Sequence, residues 1–86
     1  MKTKHIYTRL YRVLRKAGAK KENIRLNSDI FDELGFDSFD LTIYLFYLES
    51  SFNIEFSQQD LQKIDKIFKT VNLLEEKLMF NRTLFN

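Results

Sequence analysis

The part of the sequence that decides the fold is residues 33–52, which read ELGFDSFDLTIYLFYLESSF. Gly35 can turn the chain just before the helical part of this stretch. Asp37 and Asp40 carry negative charge where the dipole of a following helix favours it. Apolar residues then recur at helical spacing, without an intervening glycine or proline. We therefore predict an α-helix over residues 38–51.

This helix carries apolar residues on two faces. One stripe holds Leu41, Tyr44, Leu45, Leu48 and Phe52, and a second holds Phe39, Ile43, Phe46 and Tyr47. Only one stripe can face the core of a small bundle directly. The helix is either central and contacted on several sides, or its second stripe is an exposed patch for a partner. The sequence leaves both interpretations open.

Three more helices are predicted around this one. Residues 3–17 have apolar side chains at helical spacing, and Gly18 follows where a helix C-cap is expected. Ser57 and Asp60 form a weakened capping box before a third helix, whose end the sequence does not locate. Thr70 is the predicted cap of a fourth helix. The connection between the first two helices is expected to be anchored by Leu26, Ile30, Phe31 and Leu34.

Length and composition limit the architecture to one small domain. The chain has 86 residues, no proline and only two glycines, which suits helices better than a sheet with tight hairpins. Four helices can bury their apolar stripes only against one another. We predict an all-α four-helix bundle over residues 1–86. It has a long loop between helices one and two, and its tail after about residue 79 is expected to be frayed.

Missing residue types narrow the function further. The sequence has no cysteine, so it offers no disulfide and no thiolate metal site, and any thiol chemistry needs an attached group. Its longest apolar run, residues 43–48, is far shorter than the ~20 residues of a membrane span. The first residues lack the continuous apolar stretch of a signal peptide. We expect a cytoplasmic protein without stable membrane insertion.

Charge is strongly segregated along the chain. Residues 1–25 hold nine Lys or Arg and a single acidic residue, whereas residues 26–61 hold eight acidic residues and neither Lys nor Arg. The basic segment supports an alternative function, a helical interaction module that binds nucleic acid or an anionic membrane. The acidic block would repel phosphates and attract a basic partner instead. We therefore expect no nucleic-acid partner.

Residues 33–39 (ELGFDSF) resemble the modification site of acyl carrier proteins, whose family pattern is L-G-x-D-S-L. Residues 48–49 (LE) resemble the family's end of helix two. Residues 52–57 (FNIEFS) resemble its F-D-x-E-I-P connection, at the same distance from the serine. Residues 63–64 (KI) and 70–71 (TV) are similar to its approach to the last helix. The resemblance implies a helical bundle of acyl-carrier type.

This resemblance, which spans about residues 26–78, implies a non-catalytic carrier. It implies that Ser38 bears 4'-phosphopantetheine through a phosphodiester bond, and that the thiol of this arm holds acyl intermediates as thioesters. Asp37 is expected to help place Mg²⁺ while a phosphopantetheinyl transferase acts. Acyl-loading, condensing or acyl-transferring enzymes of fatty-acid, polyketide or other specialised lipid biosynthesis are the other expected partners. The carrier itself is expected to be a monomer.

Three departures from the family pattern indicate a specialised, non-housekeeping member. Phe39 replaces the usual leucine after the serine, and Ile43, Ser50 and Ser51 stand where family members commonly carry acids. The first helix is basic, whereas the family is usually acidic throughout. Apolar contact is then expected to replace part of the ionic recognition of partners. The predicted partner-recognition residues are Asp37, Phe39, Asp40, Ile43, Phe46, Tyr47, Glu49 and Glu55.

Other chemistry at Ser38 fits less well. A G-x-S-x-G nucleophile elbow needs glycines where Phe36 and Asp40 stand, and no motif links the only histidine, His5, to Ser38. A serine at this position commonly serves only as a helix N-cap, and the spacing of the surrounding motif is what favours modification. The acidic residues do not fit an EF-hand loop. We expect neither catalytic residues nor a metal site.

Overall fold

Three α-helices surround one apolar core. The computed structural model describes the backbone of residues 3–85 and the side chains of residues 5–79. The helices are α1 (Thr3–Lys16), α2 (Ser38–Phe52) and α3 (Ile67–Phe85), and short 3-10 turns lie at Lys21–Asn23 and Asp60–Lys63. Over those residues the β pairing consists of one isolated bridge, between Asp29 and Lys66. The predicted all-α fold is confirmed.

Each helix contributes one apolar face to the core, and α1 packs against both α2 and α3. Helical spacing in the sequence predicted such a face for α1, but it left two candidate faces for α2. Fully buried residues include Ile6, Leu10 and Leu14 of α1, Tyr44 and Leu48 of α2, and Ile67 and Leu74 of α3. The buried face of α2 therefore belongs to its first apolar stripe.

The third of the four predicted helices is reduced to the 3-10 turn at Asp60–Lys63. The Ser57 and Asp60 pair forms just before this turn: each side chain accepts the other residue's backbone N–H, at 2.8 and 3.2 Å. The 3-10 turn itself begins at Asp60, and its N-cap, Gln59, makes no side-chain capping bond. The turn cannot continue because the chain is extended beyond Ile64, where the Asp65 carbonyl accepts the N–H of Ile30 at 2.9 Å. Pairing with the long loop thus replaces the rest of the helix.

The last helix begins at Ile67, so the prediction that Thr70 caps it is wrong. Thr70 lies inside the first turn, fully buried, and its hydroxyl donates to backbone carbonyls at 3.3 and 3.4 Å. The helix start is closed by the loop instead. The N–H of Ile67 donates to Ser28 at 3.1 Å, and the N–H of Phe68 donates to Leu26 at 2.8 Å. The carbonyls of Ser28 and Leu26 thus accept hydrogen bonds from N–H groups at the helix start that a side-chain cap would otherwise satisfy.

The long connection between α1 and α2 is ordered by local turns at both ends. Gly18 adopts φ +111°, and the next residue's N–H closes α1 by donating to Leu14 at 2.9 Å. Of the four expected anchors, Ile30 is buried and Leu34 half-buried, but Leu26 and Phe31 are exposed. Because the loop is tied to α3 through its backbone, it needs fewer apolar anchors than the sequence suggested.

The predictions for the end of the chain stay predictions. The α3 backbone is helical to Phe85. The packing of the tail depends on side chains beyond residue 79, which lie outside the described residues. Among the described helices, none combines the length and the hydropathy that crossing a membrane requires.

Candidate functional site at the start of α2

Asp37 starts α2. Its carboxylate Oδ1 accepts the N–H of Asp40 at 2.9 Å, and Asp40 Oδ2 accepts the N–H of Asp37 at 3.1 Å. This reciprocal capping box satisfies helix donors that have no acceptor within the helix. Donation by the Asp40 N–H also holds the pKa of Asp37 below its usual range. The first turn of α2 is therefore fixed, and the helix begins at Ser38 as predicted.

Ser38 is the first residue of α2 and is exposed. Because Asp37 is the N-cap, the alternative that Ser38 merely caps the helix is wrong. The Ser38 carbonyl accepts a hydrogen bond from the Thr42 hydroxyl at 3.0 Å. The Ser38 hydroxyl has no hydrogen-bond partner in the described part of the chain. The structure therefore leaves the Ser38 hydroxyl accessible at the positive end of a helix dipole, an environment that favours a phosphate group.

The segment before Ser38 is held in place by Phe36. Its side chain is 6% exposed, and its ring meets that of Tyr44 edge-on, with centroids 5.6 Å apart. Its N–H donates to the Ile30 carbonyl at 2.9 Å. Gly35, at φ +74°, makes the turn that points Phe36 inward. Phe36 is an anchor that was not predicted, although an aromatic residue between a turn glycine and an N-cap is a signal for it in the sequence.

The acidic residues before the site close a turn of their own. Asp29 Oδ1 accepts the N–H groups of Phe31 and Asp32, at 2.8 and 2.9 Å, and these bonds lower the pKa of Asp29. Glu33 in turn accepts the Asp29 N–H at 2.9 Å. In the segment whose side chains are described, no three His, Asp or Glu residues are grouped so as to hold a metal ion.

The second apolar stripe of α2 is exposed at two of its four positions. Phe39 is 70% exposed and Phe46 is 64% exposed, while Ile43 between them is half-buried. Tyr47 differs, because it packs against the core from the α1 side. Of the two interpretations left open by the sequence, the exposed patch is therefore correct for Phe39 and Phe46. Their role in binding partners stays a prediction.

The two glutamates predicted to recognise partners lie far from Ser38. Glu49 is eleven residues along α2, about 16 Å at the rise of an α-helix. Its carboxylate accepts the Phe56 N–H at 2.9 Å, so it closes the loop that follows the helix. Glu55 is exposed and lines an open cleft with Asp60, Lys63 and Lys77. By contrast, Asp37, Phe39 and Asp40 are gathered around the serine.

Comparison with known proteins finds similarity over most of the chain. The family model described as "Phosphopantetheine attachment site" matches residues 10–77. An acyl carrier protein from Buchnera aphidicola is 31% identical over 75 residues, which is 86% of this chain and 94% of that protein. One from Coprothermobacter proteolyticus is 30% identical over 79 residues, 91% of this chain and 96% of the relative. One from Chloroherpeton thalassium is 32% identical over 65 residues, 76% and 81% respectively.

Proposed function

The chain belongs to the acyl carrier protein family, whose members bear covalent 4'-phosphopantetheine, and on that premise we propose that Ser38 is the attachment residue. One observation carries the proposal most strongly. The neighbouring Asp37 caps α2, so the exposed Ser38 hydroxyl is left without a partner among the described residues. A chain of this family acts as a carrier rather than a catalyst.

The residues at this site fit the chemistry of attachment. The Ser38 oxygen attacks the phosphorus next to the pantetheine part of coenzyme A, and a new P–O bond forms. The P–O bond of the diphosphate breaks, the nucleotide part leaves, and the hydroxyl proton passes to a base of the transferase. The helix start then stabilises the charge of the phosphodiester. Exposed Asp37 is available to help place Mg²⁺ in the complex with the transferase.

We further propose a specialised lipid pathway, in fatty-acid, polyketide or related biosynthesis in the cytoplasm, rather than housekeeping fatty-acid synthesis. The partners are a phosphopantetheinyl transferase and enzymes that load, condense or transfer acyl groups. The support is the composition of α2, which carries Ile43, Ser50 and Ser51 at positions where family members commonly have acids. Asp37 and Asp40 supply negative charge beside Ser38, where a basic transferase surface would bind.

A mass measurement tests the attachment residue. The purified protein is incubated with coenzyme A, Mg²⁺ and a phosphopantetheinyl transferase of broad specificity, and its intact mass is recorded. We expect wild type to gain one phosphopantetheine and Ser38→Ala to gain none. Ser50→Ala and Ser51→Ala, on the same helix, serve as matched controls and should be modified like wild type. A wild type that gains no mass, or a Ser38→Ala variant that gains as much, contradicts the proposal.

A further inference from the structure

A basic groove runs between α1 and α2, at the opposite end of α2 from Ser38. It is lined by Arg9, Arg12 and Lys16 of α1 and by Tyr47, Ser50 and Ser51 of α2. None of the described residues that line it carries a carboxylate. The sequence of α2 contains no Lys or Arg. The positive charge beside its C-terminal half therefore comes from α1.

Of the three cations, Arg9 is the one that is hydrogen-bonded to another described residue. The Arg9 guanidinium donates to the Ser51 carbonyl and lies 4.6 Å from the centroid of the Phe52 ring. It therefore stabilises the C-terminal end of α2, where a positive charge is favourable. Arg9 is consequently set aside as a candidate for binding a partner.

Arg12 and Lys16 have no counter-charge among residues 5–79. Both are exposed, and neither lies within ion-pair distance of a carboxylate among residues 5–79; the ion pairs found there join Lys69 to Asp65 and Lys77 to Asp60. They stand four residues apart on one helix, a spacing at which like charges repel. A carboxylate supplied from outside the chain would relieve this repulsion.

These two cations are continuous with the exposed apolar stripe of α2. The Lys16 ammonium lies 5.2 Å from the centroid of the Tyr47 ring, and the Tyr47 ring lies 6.0 Å from that of Phe46. Phe46 in turn lies one helical repeat from Phe39, with Ile43 between them. We call this continuous surface, formed by Phe39, Ile43, Phe46, Tyr47, Arg12 and Lys16, the α1–α2 face.

The two ends of the α1–α2 face differ in charge. Exposed Asp37 and half-buried Asp40 border it beside Phe39, whereas the cations border it beyond Phe46. A uniformly anionic membrane or nucleic acid would attract one end and be repelled at the other, next to the aromatic ring it would have to cover. A protein surface can match both ends, because its charges are placed individually.

From these contacts we infer that the α1–α2 face binds an acyl-handling enzyme through an apolar pocket on that enzyme, bordered by carboxylates that pair with Arg12 and Lys16. This inference rests on the proposed carrier function and names the chemistry of its partner. Phe46 enters the pocket, and the Arg12 and Lys16 side chains orient the docked enzyme. The apolar centre supplies affinity, while the charged border supplies orientation and association rate.

Two synthetic peptides test the inference. Each is a stapled, preformed amphipathic helix with the same leucine and phenylalanine face; one is flanked by glutamates and the other by lysines. Binding to the full-length protein is followed by the amide shifts of the isotope-labelled protein in NMR. We expect the glutamate peptide to bind about tenfold more tightly than the lysine peptide. Its largest shifts should fall at Arg12, Lys16, Phe46 and Tyr47.

Charge variants supply the controls. Arg12→Glu with Lys16→Glu should reverse the preference, and Arg12→Gln with Lys16→Gln should abolish it. The matched control, Lys20→Glu with Lys21→Glu, changes the net charge equally outside the groove and should keep the wild-type preference. Phe46→Ala should weaken both peptides about tenfold.

Several results overturn the inference. They are equal binding of the two peptides, an unchanged preference in both Arg12 and Lys16 variants, and shifts confined to other surfaces. Binding to phosphatidylglycerol vesicles that exceeds binding to the glutamate peptide would assign the face to a membrane. A dimer in sedimentation that Phe46→Ala dissociates would assign it to a second copy of the chain.

The peptide-binding test and the mass test of the attachment residue can fail independently of each other. The Arg12 and Lys16 variants should still gain phosphopantetheine, and Ser38→Ala should still prefer the glutamate peptide. Loss of the peptide preference with normal mass gain therefore overturns only the partner inference. Absence of the mass gain with a normal preference overturns only the attachment proposal.

Discussion

At the level of single residues, Asp37 and Ser38 have separate tasks at the start of α2. The Asp37 carboxylate accepts the helix N–H at 2.9 Å, and the Ser38 hydroxyl, one position later, is left for chemistry. A serine that acted as N-cap would direct its oxygen back to the helix backbone. The acidic residue before the serine is therefore a condition for the serine's availability.

Tyr44 illustrates a polar atom that the fold leaves unsatisfied. It is fully buried, and burial raises the pKa of its phenol, an effect that the nearby Thr70 hydroxyl only partly offsets. The Tyr44 oxygen has no hydrogen-bond partner of normal geometry among the described residues. Such an atom loses its hydration without compensation.

We predict that Tyr44→Phe leaves the free energy of unfolding unchanged or raises it by up to about 1 kcal/mol, because it removes only the unsatisfied hydroxyl. Urea denaturation followed by circular dichroism measures the change. Tyr44→Ala, which also removes the ring packed against Phe36, should instead lower the free energy of unfolding by about 3 kcal/mol. A clear loss of stability in Tyr44→Phe would mean that the hydroxyl has a partner.

At the scale of elements, the helices begin in different ways. The start of α2 is closed by side chains of its own first turn, the Asp37 and Asp40 capping box. The start of α3 is closed by two carbonyls of the long loop, those of Leu26 and Ser28. Only the first of these arrangements leaves a signature in neighbouring sequence positions, so only the first could be predicted.

The turn before α2 depends on Gly35. Its φ of +74° is one that residues with a side chain rarely adopt, and a Cβ built there meets no atom within 4 Å. The cost of a substitution should therefore come from the backbone alone.

We predict that Gly35→Ala lowers the free energy of unfolding by about 1 kcal/mol. Gly35→Asn should lower it less, since asparagine tolerates this conformation better. Ser38→Ala is the reference variant and should change the free energy by less than about 0.5 kcal/mol. Urea denaturation of the three variants and of wild type measures these free energies of unfolding. Equal stability of Gly35→Ala and wild type would contradict the prediction.

At the scale of the whole molecule, three aspartates in separate turns have pKa values below the usual range. Backbone N–H donors lower the pKa of Asp29 and of Asp37. Partial burial raises the pKa of Asp60, but the Lys77 ammonium 2.7 Å away and the Ser57 N–H outweigh that effect. Each ionised carboxylate therefore favours the folded state.

The protein should consequently lose stability in acid. Above the ordinary aspartate pKa of 3.8, the stabilisation from these carboxylates is fully present. As the pH falls below that value, the unfolded chain takes up protons first, and the stabilisation is lost as the pH passes through the lower folded values. Thermal midpoints measured from neutral pH down to about pH 2.5 should show this decline.

Asparagine variants identify the groups responsible for the acid effect. Asp29→Asn, Asp37→Asn and Asp60→Asn should each be less stable than wild type at neutral pH and should each show a shallower decline in acid. The difference from wild type should therefore shrink as the pH falls. Three variants with slopes equal to that of wild type would show that other groups control the acid response.

The candidate attachment residue came from the resemblance of residues 33–39 to a family motif. Other features could be predicted from the local sequence: the helical class, the boundaries of α1 and α2 to within one residue, and the turns at Gly18 and Gly35. These features depend on residues close to one another along the chain, because helix periodicity, capping and turn conformations are local properties. The Ser57 and Asp60 pair is also local, and it forms the predicted hydrogen bonds although the 3-10 turn begins only at Asp60.

Three features depend on tertiary packing and could not be predicted from local patterns. They are the end of the predicted third helix, the exposed face of α2, and the position of the α1 cations relative to that face. The Ile30–Asp65 hydrogen bond and the approach of Lys16 to Tyr47 each join positions more than thirty residues apart. Such contacts are selected by how all the buried faces fit together, and no local pattern encodes that fit. The charge of the α1–α2 face is therefore a property of the folded molecule and not of α2 alone.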